Sequence, residues 1–238
     1  MLYHHHVPRT SGLFIRSGVH LAFQTHGLKS SIVYHDKTIG QDMFNNSKFI
    51  SGHLGNYPHK FNDSLKSFTI LRDPVDRFIS WFFFMYENSR PLEELENIFS
   101  EWLYNPEIYP YLSDMQTKFL TGTVDEKGFN STKNIMEKTM KEWFLKDYSF
   151  DESVMQEKVD SMSCYTVENR GVLLDDIIRY MSKEYGFAPN FQHRNMMFNS
   201  STSKRFVITD KMINRIKQLN QHDILLYEMA KRSNPKPL

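Results

Sequence analysis

Apolar positions along the chain fall into two patterns, short runs typical of buried strands and longer stretches typical of helices. The short runs predict β-strands near residues 2–7, 30–35, 47–51, 67–72 and 164–167. The longer stretches predict helices near residues 12–25, 74–87, 91–103, 114–121, 131–145, 151–162, 171–185 and 209–231. Because strands alternate with helices, we expect an α/β fold with a central parallel sheet covered by helices on both faces.

The size and composition fit one domain of this kind. The chain has 238 residues, of which 40% are hydrophobic and 14% aromatic, which is enough for a substantial core. We expect a single domain at residues 1–232 and a flexible tail at residues 233–238, which contain two prolines. A further segment that combines prolines with tyrosines, residues 104–113, predicts a loop.

Charge, cysteine content and hydropathy argue against several classes of protein. A net charge of +1 disfavours a nonspecific nucleic-acid binder. A single cysteine, Cys164, excludes an internal disulfide. No apolar run reaches the ~18 residues of a membrane helix, and no signal-peptide pattern precedes the first strand. We therefore expect a protein without a membrane span.

The segment from Phe68 to Ser80 has the composition of an anion site. An apolar strand ends at Arg72, Asp73 and Pro74 then open a helix, and Ser80 follows two turns into that helix. Arginine supplies a planar fork of donors, serine a hydroxyl, and the helix start the positive end of its dipole. The structural alternative is a buried strand before a well-capped helix, with Arg72 in a salt bridge.

The N-terminal segment predicts a second anion site, made of a strand, a tight polar loop and a helix start. Thr10 and Ser11 offer hydroxyls, Gly12 permits close backbone approach, and the helix start offers unpaired N–H groups. The loop is not a Walker A motif, which needs a second glycine and a lysine. An ordinary strand-to-helix turn is the alternative.

Together, the two segments resemble the sulfotransferases that use 3′-phosphoadenosine 5′-phosphosulfate (PAPS). In that family a first loop, typically Pro-Lys-Thr-Gly-Gly/Ser-Thr-Ser, holds the 5′-phosphosulfate, and the Arg and Ser of a second motif hold the 3′-phosphate. Arg72 and Ser80 match the second motif, and Pro8, Thr10 and Gly12 match part of the first. The resemblance implies a P-loop-NTPase-like three-layer fold, PAPS as cofactor, 3′-phosphoadenosine 5′-phosphate (PAP) as its product, and no metal.

Three more segments resemble the carbohydrate O-sulfotransferases of the heparan 2-O type and their bacterial relatives. They are a Gly-His segment at residues 51–55, a Gln-x-x-x-Leu-Thr-Gly segment within 114–122, and an Asn-x-x-Asp-x-x-Leu-Tyr segment within 219–227. The likeness thus runs from about residue 3 to the C-terminus. Animal Golgi members carry a membrane anchor, so its absence here implies a cytoplasmic enzyme of bacterial or viral origin, or an excised domain.

The resemblance also implies roles for individual residues. His53 is the implied general base, with a structural imidazole bonded to backbone as the alternative. Arg9 stands where most relatives have lysine; arginine keeps its proton, with a pKa above ~12, so Arg9 is expected to act by charge and a forked hydrogen bond. The expected cofactor-binding residues are Pro8, Arg9, Thr10, Ser11, Gly12, Leu13, Arg72, Ser80, Lys204 and Arg205.

Several of these and other residues have open alternatives. Lys204 and Arg205 end a polar loop that in the family often closes over the cofactor phosphates, but a solvated surface loop fits equally. Glu168 follows a predicted strand and is a candidate for the acceptor site and the next candidate for the base, but hydrogen bonding at the edge of the core fits at least as well. The other candidates for the acceptor site, which could stack on a sugar or an apolar acceptor, are Trp102, Tyr109 and Tyr111.

The activity implied is transfer of a sulfuryl group from PAPS to a hydroxyl of a carbohydrate or of another small or lipid-like alcohol. A P-loop-like nucleotide kinase is one alternative, and the missing Gly-Lys-Ser/Thr loop argues against it. A non-catalytic domain that binds adenine nucleotides is the other, and Arg9 in place of lysine favours it. The sequence leaves the acceptor's identity and the oligomeric state open.

Overall fold

The computed structural model describes residues 1–33, 41–53, 59, 62, 65–86, 90–121, 150–191 and 206–238. Its strands are β1 (Leu2–His5), β2 (Ser30–Val33), β3 (Phe49–Gly52), β4 (Lys66–Leu71) and β5 (Ser163–Thr166). Its helices are α1 (Gly12–Thr25), α2 (Gln41–Asn46), α3 (Pro74–Tyr86), α4 (Leu92–Tyr104), α5 (Tyr109–Leu112), α6 (Met115–Thr121), α7 (Glu152–Ser161), α8 (Arg170–Tyr185), α9 (Asp210–Leu219) and α10 (Gln221–Arg232).

The five strands form one parallel sheet in the order β2–β3–β1–β4–β5. The central strand is β1, in which Leu2 pairs with Phe49 of β3 on one side and with Lys66 of β4 on the other. The chain runs from β1 to β2 and β3 on one side of it, and then crosses to β4 and β5. The carboxyl ends of β1 and β4 therefore flank a switch in strand order, the place where open parallel sheets bind ligands.

Helices cover both faces of the sheet. Side chains alternate across a strand, so Ile70 and Leu71 of β4 point to opposite faces. Ile70 belongs to a buried cluster with α1 and α8, whereas Leu71 belongs to one with α6, α7 and α10. A third cluster joins α3, α4 and α9. The expected three-layer α/β fold is confirmed, and it is consistent with the P-loop-NTPase-like class.

Several predicted elements differ in detail from the structure. The helix expected at 209–231 is two helices, because the side chain of Asn220 takes over backbone bonds: it donates to the carbonyl of Ile216 (2.8 Å) and accepts from the amide of Asp114 (3.1 Å). The segment 104–113, expected as a loop, contains α5, and the sequence did not predict α2. The helix expected at 131–145 lies outside the described residues.

The C-terminal tail, residues 233–238, has no regular secondary structure but contacts the sheet. The Ser163 hydroxyl donates to the carbonyl of Lys236 (2.5 Å), and Leu238 packs against the cluster of α1 and α8. The flexibility of the tail and the domain boundary at residue 232 stay predictions. In the part of the chain that the structure describes, no helix is long and apolar enough to cross a membrane.

Candidate active site

The carboxyl ends of three adjacent strands place the predicted site segments side by side. The polar loop follows β1, His53 follows β3, and Arg72 follows β4. Parallel strands end at the same edge of a sheet, so segments far apart in sequence meet there. The switch in strand order lies at this edge, which makes it the candidate active site.

The loop after β1 is held in an unusual backbone conformation. Arg9 and Ser11 both have φ of 69°, in the left-handed region that residues other than glycine rarely adopt. Between them Thr10 is buried, and its hydroxyl donates to the carbonyl of Val7 (2.8 Å). Such strain persists only where the surroundings enforce it, and it is concentrated at ligand sites.

Gly12 is required by the packing of two histidine rings. A Cβ added at Gly12 would lie 2.2 Å from Cδ2 of His6 and 2.9 Å from Cε1 of His4. Real Cβ atoms do not approach that closely, so any larger residue would displace the rings of β1. The neighbours of Gly12 here are His4 of β1 and His6, which follows β1, and close approach of a ligand to Gly12 stays a prediction.

The first turn of α1 is suited to an anion. Within the part of the chain that the structure describes, the side chain of Ser11, which precedes this helix, makes no capping bond. The first turn of the helix carries no acidic residue. The N–H groups of the first turn and the positive end of the helix dipole are thus not offset by a local carboxylate. Phosphate groups bind at helix starts of this kind.

Arg9 reaches across to α3. Its Nε donates to the Ser80 hydroxyl (3.1 Å), and its guanidinium carbon lies 4.8 Å from the centre of the Phe84 ring, one turn further along α3. One turn before Ser80, Asp76 lies 3.8 Å from a guanidinium nitrogen of Arg72. The two guanidinium groups therefore line the same side of α3.

The observed pairing differs from the simplest expectation. The hydroxyl of Ser80 bonds to Arg9, whereas Arg72 forms the salt bridge that the sequence allowed as an alternative. Exposure of the two side chains, 32% for Arg72 and 64% for Asp76, makes this ion pair weak. Arg72 can exchange Asp76 for a stronger anionic partner at little cost.

His53 is oriented by the main chain of the central strand. It is nearly buried, at 9% exposure, and its Nδ1 hydrogen-bonds to the carbonyl of His6, whose ring stacks on it at 4.6 Å. A carbonyl only accepts, so Nδ1 carries the hydrogen and, in a neutral ring, Nε2 is the acceptor nitrogen. This backbone bond gives His53 the tautomer that a base at Nε2 needs.

The neighbouring histidine rings are electrically neutral. His4 stacks on His6 with 5.3 Å between centroids, and its Nδ1 contacts the Ser51 hydroxyl (2.9 Å). Burial, reinforced by Arg16 and His53, lowers the pKa of His4 to about 3. Burial also holds the pKa of His6 well below its usual value. The stack therefore places apolar ring faces, not extra cations, beside His53.

Glu168 lies at the same edge of the sheet, after β5. Burial acts to raise the pKa of its carboxyl, but hydrogen bonds from Tyr227, from the backbone and from Thr166 outweigh it, so the pKa falls below its usual value. A carboxylate stabilised in this way is a weaker proton acceptor. This favours His53 over Glu168 as the base.

Of the aromatic candidates for the acceptor site, Trp102 is placed differently from expectation. Trp102 is 4% exposed and packs in the core between Phe78 (5.9 Å) and Phe82 (5.1 Å), so its ring is part of the core and not a platform for a sugar. Tyr109 is partly buried, and the guanidinium of Arg215 lies 5.2 Å from its ring centre. The side chains of Tyr111, Lys204 and Arg205 lie outside the described residues.

Gln116, for which the sequence predicted no role, contacts Arg72 from outside the two anion segments. Its side-chain amide bonds to both backbone groups of Arg72. The signal was present in the two segments that resemble family helices, within 114–122 and 219–227, because residues of both segments form the contacts around Gln116. Spacing alone did not show which contacts they make.

Among the described residues, no group of three or more His, Cys, Asp or Glu side chains is arranged to hold a metal ion.

Comparison with known proteins identifies the family. A sequence model of the Sulfotransferase family matches residues 26–230, which include His53, Arg72 and Ser80 but not the loop after β1. No curated protein matches the chain significantly. The match covers most of the chain and four of the five strands that the structure describes, all except β1. The chain belongs to the Sulfotransferase family.

Proposed function

We propose that the protein transfers a sulfuryl group from PAPS to an acceptor hydroxyl of a carbohydrate or of another small or lipid-like alcohol. One observation carries the proposal: the Arg9–Ser80 hydrogen bond joins the loop after β1 to the helix after β4. This bond unites the two anion segments, 71 residues apart, in a chain of a sulfotransferase family. Sulfuryl transfer follows from the family, whereas donor and acceptor are the proposal.

The donor set fits a nucleotide with phosphate groups on both sides of its ribose. On one side are the loop residues 8–13, with the first turn of α1; on the other are Arg72 and Ser80. We assign the first set to the 5′-phosphosulfate and the second to the 3′-phosphate. Guanidinium groups form forked, charge-assisted bonds with phosphate, and helix N–H groups add to them.

The chain's own residues then perform two chemical tasks. Bound PAPS supplies an activated sulfuryl group on a phosphate leaving group. Nε2 of His53 accepts the proton of the acceptor hydroxyl as that oxygen attacks. Arg9 stabilises negative charge on the departing phosphate oxygen; it acts by charge, because a guanidinium does not release its proton at neutral pH. The Ser80 bond uses one of the five N–H donors of the guanidinium.

The alternatives have less support. Membership of the Sulfotransferase family favours sulfuryl transfer over a nucleotide kinase, and the loop lacks the Gly-Lys-Ser/Thr sequence that a kinase of this class uses. The non-catalytic alternative rested on arginine in place of lysine at position 9, and Arg9 contacts the α3 motif directly. Incubation with ATP and Mg²⁺ distinguishes a kinase from a sulfotransferase.

A screen of sugars, oligosaccharides and simple alcohols with labelled PAPS tests the activity. We expect transfer of label to at least one class of hydroxyl. On the acceptor found, Arg9→Ala is expected to slow turnover and to weaken PAP binding, whereas Arg9→Lys keeps substantial activity because it retains the charge. If Arg9→Ala kept normal turnover and normal PAP affinity, Arg9 would have no place at the leaving oxygen.

A further inference from the structure

We propose that Gln116 is a positioning residue for Arg72, and that two carboxylates, each capping the other's helix, hold Gln116 in place. The proposal rests on the function proposed above, because Arg72 is the residue assigned to the 3′-phosphate. It concerns how the protein aims that side chain, which neither the family match nor the anion motif specifies.

The side-chain amide of Gln116 pairs with Arg72 as a neighbouring strand would. Arg72 is the first residue after β4, and the pairing with the next strand ends just before it, where the amide of Val167 donates to the carbonyl of Leu71 (2.9 Å). Oε1 of Gln116 accepts from the amide of Arg72 (3.0 Å), and Nε2 donates to its carbonyl (2.9 Å). Both backbone groups of Arg72 are thereby fixed, and with them the direction of the Cα–Cβ bond from which its side chain extends.

Gln116 is itself held at the start of α6. It is fully buried, and its own backbone amide donates to a carboxylate oxygen of Asp223 (3.1 Å). The other oxygen accepts from the amide of Thr117 (2.7 Å) and from its hydroxyl (2.9 Å). Asp223 thus serves as the cap of α6, although it belongs to α10.

The capping is reciprocal. One carboxylate oxygen of Asp114, the residue before α6, accepts from the amides of His222 (2.9 Å) and Asp223 (3.0 Å) in the first turn of α10. Each helix therefore supplies the anion for the other's positive end, where carboxylates are stabilising. Neither helix can shift along its axis without breaking bonds at both starts, so the position of Gln116 is fixed.

A buried cation ties the same carboxylate to α3. The guanidinium of Arg77 has 0% exposure and lies 3.8 Å from Asp223, which is also fully buried. Arg77 is on α3, one turn before the position of Ser80. Asp223 therefore connects to both residues assigned to the 3′-phosphate. It contacts Gln116, which binds the backbone of Arg72, and it lies beside Arg77 of α3, the helix that carries Ser80.

The test compares nucleotides that differ in the 3′-phosphate. Gln116→Met removes both hydrogen bonds to Arg72 at nearly constant volume. We measure dissociation constants for PAP and for adenosine 5′-phosphate by calorimetry. The expected result is a loss of about tenfold in the preference for PAP, the low end for one charge-assisted bond, with adenosine 5′-phosphate affinity unchanged.

Thr117→Val is the matched control. It removes one hydrogen bond to Asp223 in the same turn of α6 but leaves the amide of Gln116 in contact with Arg72. We expect it to lower the melting temperature without changing the preference for PAP. An equal loss of preference in both variants would mean that the effect reflects general damage to α6, and would overturn the proposal.

Gln116→Glu tests the same positioning role independently if Gln116→Met does not fold. A protonated carboxyl offers one donor and one acceptor, as the amide does, whereas a carboxylate offers acceptors alone. Burial raises the pKa of a carboxyl at this position. The preference for PAP, relative to the parent at the same pH, should be near normal at about pH 5 and reduced at about pH 8.

The Arg72→Ala background separates the two proposals. There, Gln116→Met should cause no further loss of preference, because the side chain it positions is gone. An unchanged preference in Gln116→Met or Gln116→Glu at high pH, or a further loss in the Arg72→Ala background, would overturn the positioning role while the proposed function stood. A parent that binds both nucleotides equally would overturn the proposed function, and this inference with it.

Discussion

The loop after β1 and the turn after β4 lie at the ends of adjacent strands, yet different forces hold them. Besides the hydrogen bonds of Thr10 and Arg9, the loop is held by close packing and a strained backbone. A Cβ added at Gly12 would clash with His4 and His6. The turn at Arg72 is held by polar bonds that lead to a buried carboxylate. The comparison suggests that the loop tolerates no extra volume, whereas the turn tolerates no loss of polarity.

The two regions should also divide the catalytic work, and His53 gives the largest expected effect. His53 hydrogen-bonds to the backbone beside the loop and is proposed as the base. His53→Ala should lower kcat by ~10²–10⁴ and leave PAP affinity intact, as for loss of a general base. Steady-state rates and calorimetry on the same preparations measure both quantities.

A pH profile sharpens that result. The parent rate should rise with pH as the His53 ring loses its proton, and the His53→Ala profile should lose this step. Normal turnover of His53→Ala on a true acceptor would show that another group acts as the base. Proton transfer would then not depend on the residues beside the loop after β1.

The next largest effect, a loss of stability, is expected in the polar network that holds the turn after β4. Asp223→Asn removes the negative charge opposite Arg77, and both side chains are fully buried. Leaving a buried charge unpaired should lower the free energy of unfolding by about 3–5 kcal/mol. Urea unfolding measures it, with Asp175→Asn, at an exposed position of α8, as the control of equal chemistry. A loss as small as that of the control would show that the network does not hold the turn.

The loop side should respond to volume instead. Gly12→Ala adds a single methyl group that would clash with His6, and overpacking of this kind costs about 1–3 kcal/mol. Gly171→Ala adds the same methyl group where no atom lies within 4 Å. Melting temperatures should therefore fall for the first variant and stay level or rise for the second. Equal behaviour of the two would contradict a loop held by shape.

Mild acid should gradually lower the free energy of unfolding through the buried histidines beside the loop. The folded protein keeps His4 and His6 unprotonated, because burial lowers the pKa of both. In the unfolded chain they bind protons below pH ~6.5, so stability falls as pH decreases from there toward the lowered folded pKa. Each histidine contributes a slope of up to about 1.4 kcal/mol per pH unit.

Unfolding free energies at several pH values between 7 and 5 test this slope. Asparagine cannot bind a proton in this pH range, so His4→Asn should reduce the slope of unfolding free energy against pH, whatever it does to the absolute stability. A stability that is constant over this range would mean that the histidines already bind protons in the folded protein.

The sequence predicts the order and layering of the strands and helices better than it predicts contacts between individual side chains. Alternating strands and helices were sufficient for the layered parallel fold, and the spacing from Arg72 to Ser80 identified the segment that we assign to the 3′-phosphate. Trp102 was misplaced because its pattern shows an aromatic residue in a helix but not which side of that helix the core covers. The break at Asn220 depends on a bond to Asp114, which lies over a hundred residues away.

The same reason explains why Gln116 had no predicted role. Its partners, Arg72 and Asp223, are separated from it by 44 and 107 residues. A single sequence displays residue types and spacing, whereas hydrogen bonds of this range exist only after the sheet and both helices have packed. Likewise, the partner of Ser80 was identified as Arg9 only once β1 and α3 were placed side by side.

Calorimetry with PAP and adenosine 5′-phosphate, on the parent and on Arg72→Ala, tests the central claim most directly. Because Arg72 and Ser80 are assigned to the 3′-phosphate, the parent should prefer PAP at least ~10-fold, from charge-assisted bonds of roughly 1.5–3 kcal/mol each. Arg72→Ala should weaken PAP binding by ~2 kcal/mol or more and leave adenosine 5′-phosphate nearly unchanged. Equal affinity of the parent for the two nucleotides, or equal weakening of both in Arg72→Ala, would contradict the account and leave Arg72 a structural residue at the edge of the sheet.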